Sequence, residues 1–291
     1  MEKILGAVVA GHICLDIIPE IQALPAGGFN ETFLPGHLLE VGPAALSTGG
    51  AVSNTGLALH RLGIPTQLIC KIGADAFGRI VRELIESECH GLAEGLVVDP
   101  QAATSYSMII SPTDVDRIVL HNPAANHTFC ADDIDYHLVG QATLFHFGYP
   151  PVMRRMYAQN GQGLVDLFRQ VKQTGMTTSL DMCHPDLAAE GGQVTGTTGA
   201  GDAAIAGFLS ALLRGFGPEL ALTMASAVGA CNVEAADALS GLRSWDITLK
   251  RIRAGWERLP LRLEDPAWSW DQSDQVWRRN GRSGPGKEWH G

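Results

Sequence analysis

The sequence has few basic residues, no paired cysteines and no long apolar segment. It holds 21 Lys and Arg against 31 Asp and Glu, which gives a formal net charge of −10. This balance argues against a nucleic-acid-binding protein, because such binding depends on Lys and Arg that neutralise phosphates. The imbalance is strongest before residue 243, where 11 basic residues stand against 24 acidic ones. A phosphorylated ligand would therefore have to be bound by backbone amides and a metal ion.

The six cysteines are scattered, and none belongs to a Cys-x-x-Cys pair. We therefore expect neither a zinc site nor a disulfide framework, and free thiols of this kind are typical of a reducing cytoplasm. No apolar run reaches the roughly 18 residues of a membrane span. Residues 4–18 could pass for a signal peptide, but His12 and Asp16 interrupt the apolar stretch. We expect a cytoplasmic protein with no membrane association.

Strand-like and helix-like segments alternate along most of the chain. Residues 4–13 form a Val- and Ile-rich run that is typical of a buried central strand. The hydrophobic patterns predict further strands over 66–72, 142–147 and 176–182, and helices over 51–62, 77–89, 161–174, 202–214 and 219–236. This alternation predicts an α/β fold in which helices cover both faces of a mostly parallel sheet.

Shorter segments, broken by Gly and Pro, predict a second and smaller sheet. Its strands are expected at 31–34, 37–41 and 44–48, and in a hairpin over 104–111 and 117–121. The whole main domain then covers residues 1–259. Residues 260–291 carry four tryptophans among charges, Gly and Pro, with no helical or strand period. We expect this tail to be disordered or to pack across the domain surface.

A glycine-rich turn precedes the predicted helix at 202–214. Residues 196–202 read Gly-Thr-Thr-Gly-Ala-Gly-Asp. Small residues let successive amides converge on an anion, and the helix N-terminus adds partial positive charge. A carboxylate at Asp202 suits this place if it takes the proton from a hydroxyl that attacks a bound phosphate. The alternative is an ordinary helix start with Asp202 in its first turn.

Four residues of the N-terminal half are candidates for ligand binding. Gly49 and Gly50 would let a ring approach the main chain closely, or they form a tight turn before a helix. Asn54 offers a donor and an acceptor that suit vicinal hydroxyls, or it is a partner of the helix cap. Asp16 ends a buried strand, where an unpaired carboxylate is costly, and this favours a role in binding hydroxyls.

Three further polar residues allow structural interpretations. We interpret His12 as a core histidine with satisfied hydrogen bonds. Asn126 is either an ordinary turn residue or a ligand contact. Asp75 is expected to shape its own turn.

Taken together, these segments resemble the ribokinase-like carbohydrate kinases of the pfkB family. The matching motifs lie at residues 11–16, 49–54, 71–78, 124–126 and 197–202, in the order that the family has. The resemblance implies a three-layer α/β/α fold with a small β lid. It also implies ATP-dependent phosphorylation of a sugar hydroxyl, with Mg²⁺ as the metal ion. Family lids also pair subunits, so the resemblance implies a homodimer through the lid.

The resemblance assigns roles to the matched residues in three groups. The first group is catalytic, with Asp202 as the base and the amides of Gly199, Ala200 and Gly201 around the transferred phosphoryl group. The second group binds the substrate and contains Asp16, Gly49, Gly50, Asn54 and Asn126. The third group binds the nucleotide and contains Thr197, Thr198, Ala227, Ala230 and Asn232. No protein metal ligand is identified.

One departure from the family pattern concerns the nucleotide side. The family carries an Asn-x-x-Glu motif that organises Mg²⁺ and phosphates, and this sequence has none. Only nine residues separate Asp186 from Gly196, where about 60 residues would be needed for two further strand–helix units. Either a real deletion lies near 183–195 or the sequence is incomplete. The alternatives to a sugar kinase are a catalytically dead relative that binds a sugar or nucleoside, and a nucleoside kinase.

Overall fold

The computed structural model describes residues 5–21, 28–112, 117–182, 199–235, 238–254, 268–271 and 276–279. The strands, in chain order, are β1 (Leu5–Gly11), β2 (Cys14–Pro19), β3 (Ala44–Gly49), β4 (Thr66–Gly73), β5 (Leu96–Asp99), β6 (Tyr106–Ile110), β7 (Ile118–Asn122), β8 (Ala142–Gly148), β9 (Thr177–Asp181), β10 (Trp268–Asp271) and β11 (Val276–Arg279). The α-helices are α1 (Gly28–Thr32), α2 (Ala51–Arg61), α3 (Ala76–Glu88), α4 (Tyr136–Gly140), α5 (Arg154–Gln173), α6 (Ala200–Leu213), α7 (Pro218–Asn232) and α8 (Trp245–Arg253). Short 3-10 helices cover Ala124–Thr128, Ala131–Asp133 and Pro150–Val152.

The central sheet has five parallel strands in the order β5-β4-β1-β8-β9. Strand β1 lies in the middle and is buried on both faces, as its continuous apolar run predicts. Its side chains alternate between two hydrophobic clusters. Ala7 and Val9 join the cluster that contains residues of α2, α6 and α7, whereas Val8 and Ala10 join the cluster that contains residues of α5. This arrangement is the predicted α/β/α sandwich.

The smaller sheet has four strands in the order β3-β2-β6-β7. Strand β2 pairs antiparallel with β3 and parallel with β6, and β6 forms the predicted antiparallel hairpin with β7. We call this sheet the lid. It begins directly where the central strand β1 ends, so the two sheets share the loop at residues 12–13.

The prediction for the first part of the lid is partly wrong. Residues 28–32 form helix α1, and no strand is described between residues 33 and 43, so 28–48 supplies only strand β3. Strand β2 was not predicted as a separate strand, because Asp16, which lies within it, was expected to end the buried strand that begins near residue 4. The chain breaks at Gly11, which has φ 126 and whose added Cβ would lie 2.4 Å from the Gly148 carbonyl oxygen. Only glycine permits this bend.

The predicted helices are found with boundary shifts of a few residues. Helix α5 differs most, because it begins at Arg154 and contains non-helical residues at 158–161 before the segment that was predicted. The tryptophan-rich tail contains an antiparallel pair, β10 and β11, although no strand was expected there. Within the described parts of the chain, no helix combines the length and the apolar character needed to cross a membrane.

Candidate active site

The paired glycines bring strand β3 and helix α2 against the loop that follows β1. A Cβ added to Gly49 would lie 2.2 Å from Asp16 Oδ2, and one added to Gly50 would lie 2.4 Å from His12 Nδ1. Gly50 also has φ 85, which L side chains rarely adopt. Both positions therefore require glycine, and the close approach brings Asp16 to the start of α2.

Asp202 lies in the first turn of α6 and is only 5% exposed. Its Oδ2 accepts hydrogen bonds from Asn54 Nδ2 at 3.1 Å and from the Tyr149 hydroxyl at 2.7 Å. Its Oδ1 accepts one from the Thr55 hydroxyl at 3.3 Å. Asn54 and Asp202 are 148 positions apart in sequence. The fold thus joins the early glycine motif to the late one, around a single carboxylate.

A second carboxylate, Asp181 at the end of β9, lies beside Asp202, close enough for the two groups to share a proton. Burial and the neighbouring charge raise the pKa of Asp181 to about 6. Burial also raises the pKa of Asp202, and hydrogen bonds from Tyr149 and Asn54 offset part of that effect. A carboxylate with a raised pKa is a better proton acceptor than an ordinary one, as general-base chemistry requires.

Asp16 is 6% exposed and belongs to the lid strand β2. Its Oδ1 accepts a hydrogen bond from the Cys14 thiol at 3.2 Å. Burial raises its pKa, whereas hydrogen bonds from Cys14 and Ser107 and the charge of Arg117 act in the opposite direction. This buried acceptor can receive hydrogen bonds from ligand hydroxyls.

His12 differs from the expectation of a histidine with satisfied hydrogen bonds. Its Nε2 lies 3.1 Å from His121 Nε2 on the lid strand β7, but its Nδ1 is buried and has no hydrogen-bond partner among the residues that the structure describes. Burial and the neighbouring His121 lower the pKa of His12 to about 3, so the ring is neutral at physiological pH. His12 therefore connects the lid strand β7 to the loop at residues 12–13, which packs against Gly50.

Asn126 is fully buried in the 3-10 helix at residues 124–128. Its Oδ1 accepts a hydrogen bond from the Ile13 amide at 3.2 Å, and its Nδ2 donates to the Ile13 carbonyl at 2.8 Å. These contacts fix the loop between β1 and β2. A direct contact of Asn126 with a substrate stays a prediction, because both of its described hydrogen bonds are made to the main chain.

Asp75 confirms the expectation that it shapes its own turn. It is the N-cap of α3, where Oδ1 accepts from the Gly78 amide at 2.8 Å and from the Thr104 hydroxyl at 2.6 Å. Its Oδ2 accepts from the Thr104 amide at 2.8 Å. It is therefore a structural residue that holds the segment before β6.

The start of α6 has the geometry of an open helix N-terminus. Gly199 is its N-cap with φ 73, and a Cβ added to Gly201 would meet no atom of the described residues within 4 Å. The first amides of an α-helix have no partner within the helix, so those that follow Gly199 are available to an anion. Thr197 and Thr198 lie outside the described residues.

Helix α7 packs on α6 beside this N-terminus. A Cβ added to Gly229 would lie 3.3 Å from the Ala200 carbonyl oxygen. Ala227 and Asn232 are buried and Ala230 is half-buried, so these three predicted nucleotide contacts lie on a closely packed helix. Their contact with a nucleotide stays a prediction.

Sequence reasoning missed three residues that contact Asp202. Thr55 follows Asn54 on α2, Asp181 ends a central strand, and Tyr149 follows β8. Asp181 could have been found by the argument used for Asp16, since each carboxylate lies at or near the end of a strand that the sequence predicts. Tyr149 has no sequence signal that distinguishes it from an ordinary turn residue.

Curated relatives of this chain include plant fructokinases. Fructokinase-1 of Zea mays is 29% identical over 142 residues, which are 47% of this chain and 39% of that protein. The chain thus spans about two fifths of the length of the curated relatives that it matches.

Solved structures show the same fold at low sequence identity. Arabidopsis thaliana ribokinase complexed with ribose and ATP has a TM-score of 0.67 and 18% identity, covering 86% of this chain and 98% of that one. Xylella fastidiosa fructokinase with bound ATP has a TM-score of 0.66 and 17% identity, covering 85% and 98%. The model of the pfkB family carbohydrate kinases matches residues 8–162 and 176–245. Since these segments make up most of its length, the chain belongs to the pfkB family of carbohydrate kinases.

Proposed function

We propose that this protein phosphorylates a hydroxyl group of a sugar with ATP. The observation that carries the proposal is the 3.1 Å hydrogen bond between Asn54 Nδ2 and Asp202 Oδ2. It places the proposed sugar-binding motif beside the proposed base, at the N-terminus of α6. The relatives and neighbours named as fructokinases and ribokinases support the same class of reaction.

The mechanism assigns the proton to Asp202. The acceptor hydroxyl lies against the Asp202 carboxylate, which takes its proton while the hydroxyl oxygen attacks the γ-phosphorus of ATP. The new oxygen–phosphorus bond forms as the bond to the β-phosphate oxygen breaks, and ADP leaves. The amides of Gly199, Ala200 and Gly201 stabilise the charge of the transferred phosphoryl group.

The substrate is proposed to be a neutral sugar. Asn54 Oδ1 is buried and has no hydrogen-bond partner in the described part of the chain, so it can accept a bond from a sugar hydroxyl. Asp16 supplies a second buried acceptor. A sugar phosphate would favour several Lys or Arg residues at the lid, and residues 28–60 contain neither. Arg117, directly before β7, acts on the Asp16 carboxylate, whose negative charge offsets it.

The described residues do not form a protein-held magnesium site. No group of three or more His, Cys, Asp or Glu side chains in the described ranges could hold a metal ion. Mg²⁺ binds readily to nucleotide phosphates and keeps several waters. Mg²⁺ is therefore proposed to enter with ATP, and no step of the mechanism is assigned to a metal ligand of this chain.

The nucleotide-binding part of the site is proposed to bind its ligand less well than the sugar-binding part. The predicted deletion near 183–195 lies outside the described residues. The absence of Asn-x-x-Glu removes the family's usual organisation of phosphates. We therefore expect sugar binding to be preserved better than catalysis. The division into a kinase domain at 1–259 and a tail at 260–291 belongs to the same proposal.

The lid is proposed to pair two subunits and to exclude water from the reaction. Every residue of β7 is exposed, including the apolar run at 118–120. Leu46 on β3 and Met108 on β6 are also exposed. An exposed apolar strand is commonly covered by a partner. A second copy of this chain fits, since family lids pair subunits.

A panel experiment tests this function. Pentoses, hexoses, nucleosides and sugar phosphates are screened for equilibrium binding, and the same compounds are screened for ADP release from ATP. The proposal expects binding of a neutral sugar together with ADP release that depends on it. Binding without ADP release would identify a catalytically dead relative. ADP release with nucleosides alone would identify a nucleoside kinase.

A further inference from the structure

Tyr149 is held in an unusual backbone conformation beside the catalytic carboxylate. It has φ 65 and ψ 40, the left-handed region that large side chains rarely adopt. Its amide donates to the Asp181 carbonyl at 3.0 Å, and Pro150 follows it. Strained residues of this kind persist only where the surrounding structure holds them, and they cluster at functional sites.

The conformation directs the phenol to Asp202. The Tyr149 hydroxyl donates to Asp202 Oδ2 at 2.7 Å, which is the shortest of the three hydrogen bonds that the described residues donate to this carboxylate. The other donors, Asn54 and Thr55, are buried on α2, whereas Tyr149 is half-buried. Tyr149 is therefore the donor that an entering ligand can replace most easily.

The acceptor hydroxyl of a substrate must occupy the position beside Asp202 that the Tyr149 hydroxyl occupies in this structure. A base must lie within hydrogen-bond reach of the proton that it removes. The Asp202 carboxylate already accepts three hydrogen bonds. A substrate hydroxyl that donates a fourth one to the reactive carboxylate oxygen would therefore come too close to the Tyr149 hydroxyl. The tyrosine ring lies 5.9 Å from the ring of His12, in the loop that borders the sugar motifs. The phenol thus lies between the base and the proposed sugar pocket.

We propose that Tyr149 is a positioning residue that keeps Asp202 ionised and oriented in the free protein and gives up its place to the acceptor hydroxyl of the substrate. This inference rests on the proposed function for the identity of the substrate. In the free protein the phenol donates to the carboxylate. In the complex the substrate hydroxyl donates in its place, and the number of bound protons does not change.

Among the described residues, the titratable groups that face Asp202 are Asp181, from the end of β9, and Tyr149 itself. The hydrogen bond from Tyr149 lowers the pKa of Asp202, so its removal should raise it. Because the neighbouring Asp181 and Asp202 carboxyl groups influence each other's ionisation, the measured pKa values belong to the pair. The prediction therefore concerns the difference in the pKa of Asp202 between two proteins that both retain Asp181 and Asp202.

The test is Tyr149→Phe, which keeps the ring and removes the hydroxyl. The pH dependence of kcat/KM reports the free enzyme, and that of kcat reports the complex with substrate. We expect the acid limb of kcat/KM to move upward by about one pH unit, as for the loss of a hydrogen bond to a charged group. The acid limb of kcat should stay unchanged. Tyr157→Phe, at an exposed tyrosine of α5, is the matched control and should change neither limb.

Carboxyl ¹³C NMR on the free protein makes the test independent of turnover. The Asp202 resonance is assigned with Asp202→Asn, and its titration is compared in wild type and Tyr149→Phe with and without bound sugar. We expect a difference of about one pH unit without sugar and none with it. Equal titrations of wild type and Tyr149→Phe without sugar would overturn the inference. A difference between the two proteins that is the same with and without bound sugar would also overturn it. Absence of turnover in wild type would count against the proposed function alone.

Discussion

Replacing Asp181 with Asn removes one charge from the carboxylate pair at the site. Burial and the charge of Asp202 raise the pKa of Asp181 to about 6, compared with an ordinary value of 3.8. Between these two pH values the native protein binds a proton that the unfolded chain has released. The free energy of unfolding of wild type should therefore fall as the pH rises through this window.

The magnitude follows from the size of the pKa change. Each pKa unit is worth about 1.36 kcal/mol, and solvent screening at this partly exposed side chain roughly halves the effect, so the ionised Asp181 destabilises the native state by about 1–2 kcal/mol above pH 6. Asn carries no charge and can still donate to Asp202. Asp181→Asn should therefore be more stable than wild type by about 1–2 kcal/mol above pH 6, and by little at pH 4.

Urea unfolding at pH 4, 6 and 8 measures this difference through the midpoint, provided that the slope is unchanged. The melting temperature at pH 8 should rise by about 2–5 °C. Asp132→Asn, at an exposed carboxylate, is the control and should stay within about 0.5 kcal/mol of wild type. If Asp181→Asn raised the free energy of unfolding equally at all pH values, the effect would come from packing. A lower free energy of unfolding of the variant above pH 6 would contradict the electrostatic reasoning.

Two further predictions concern the sugar pocket and the lid. Gly49→Ala should weaken sugar binding about 10- to 100-fold, because its Cβ would lie 2.2 Å from Asp16 Oδ2 and displace a charged hydrogen-bond acceptor. Gly140→Ala, whose nearest contact is an ordinary 3.8 Å, should leave calorimetric affinity unchanged; equal affinities of the two variants would contradict the pocket assignment. Leu120→Asp on β7 should shift sedimentation toward the monomer at fixed protein concentration, and an unchanged sedimentation coefficient would count against pairing through the lid.

The sequence allowed four of the five central strands to be predicted because hydrophobic periodicity is local, whereas the short edge strand β5 was not predicted. The apolar run of β1 and the amphipathic pattern of α3 depend only on nearby residues. The boundary between β1 and β2 was missed, because the bend at Gly11 comes from its contact with Gly148, which is distant in sequence. Helix α1 was read as part of a strand region, since Gly and Pro nearby suggested exposed strands.

The site was predictable where residue types are unusual for regular structure. Gly49 was predicted to be a site residue because glycines precede a helix there, and Asp202 because a carboxylate lies in a first turn. That the two lie close together was expected only from the family resemblance, because no local pattern relates residues that lie about 150 positions apart. Tyr149 could not be predicted, since its left-handed backbone is set by tertiary contacts. His12 was misjudged for the same reason, as its partner His121 belongs to a distant strand.

The most direct test of the account is sugar-dependent ADP formation by wild type and by Asp202→Asn, with sugar affinity measured on both proteins. The account predicts that the variant loses about 10²- to 10⁴-fold in turnover, as for removal of a general base, while its affinity for the sugar changes little. Turnover of the variant at a rate close to that of wild type would contradict the assignment of Asp202 as the base.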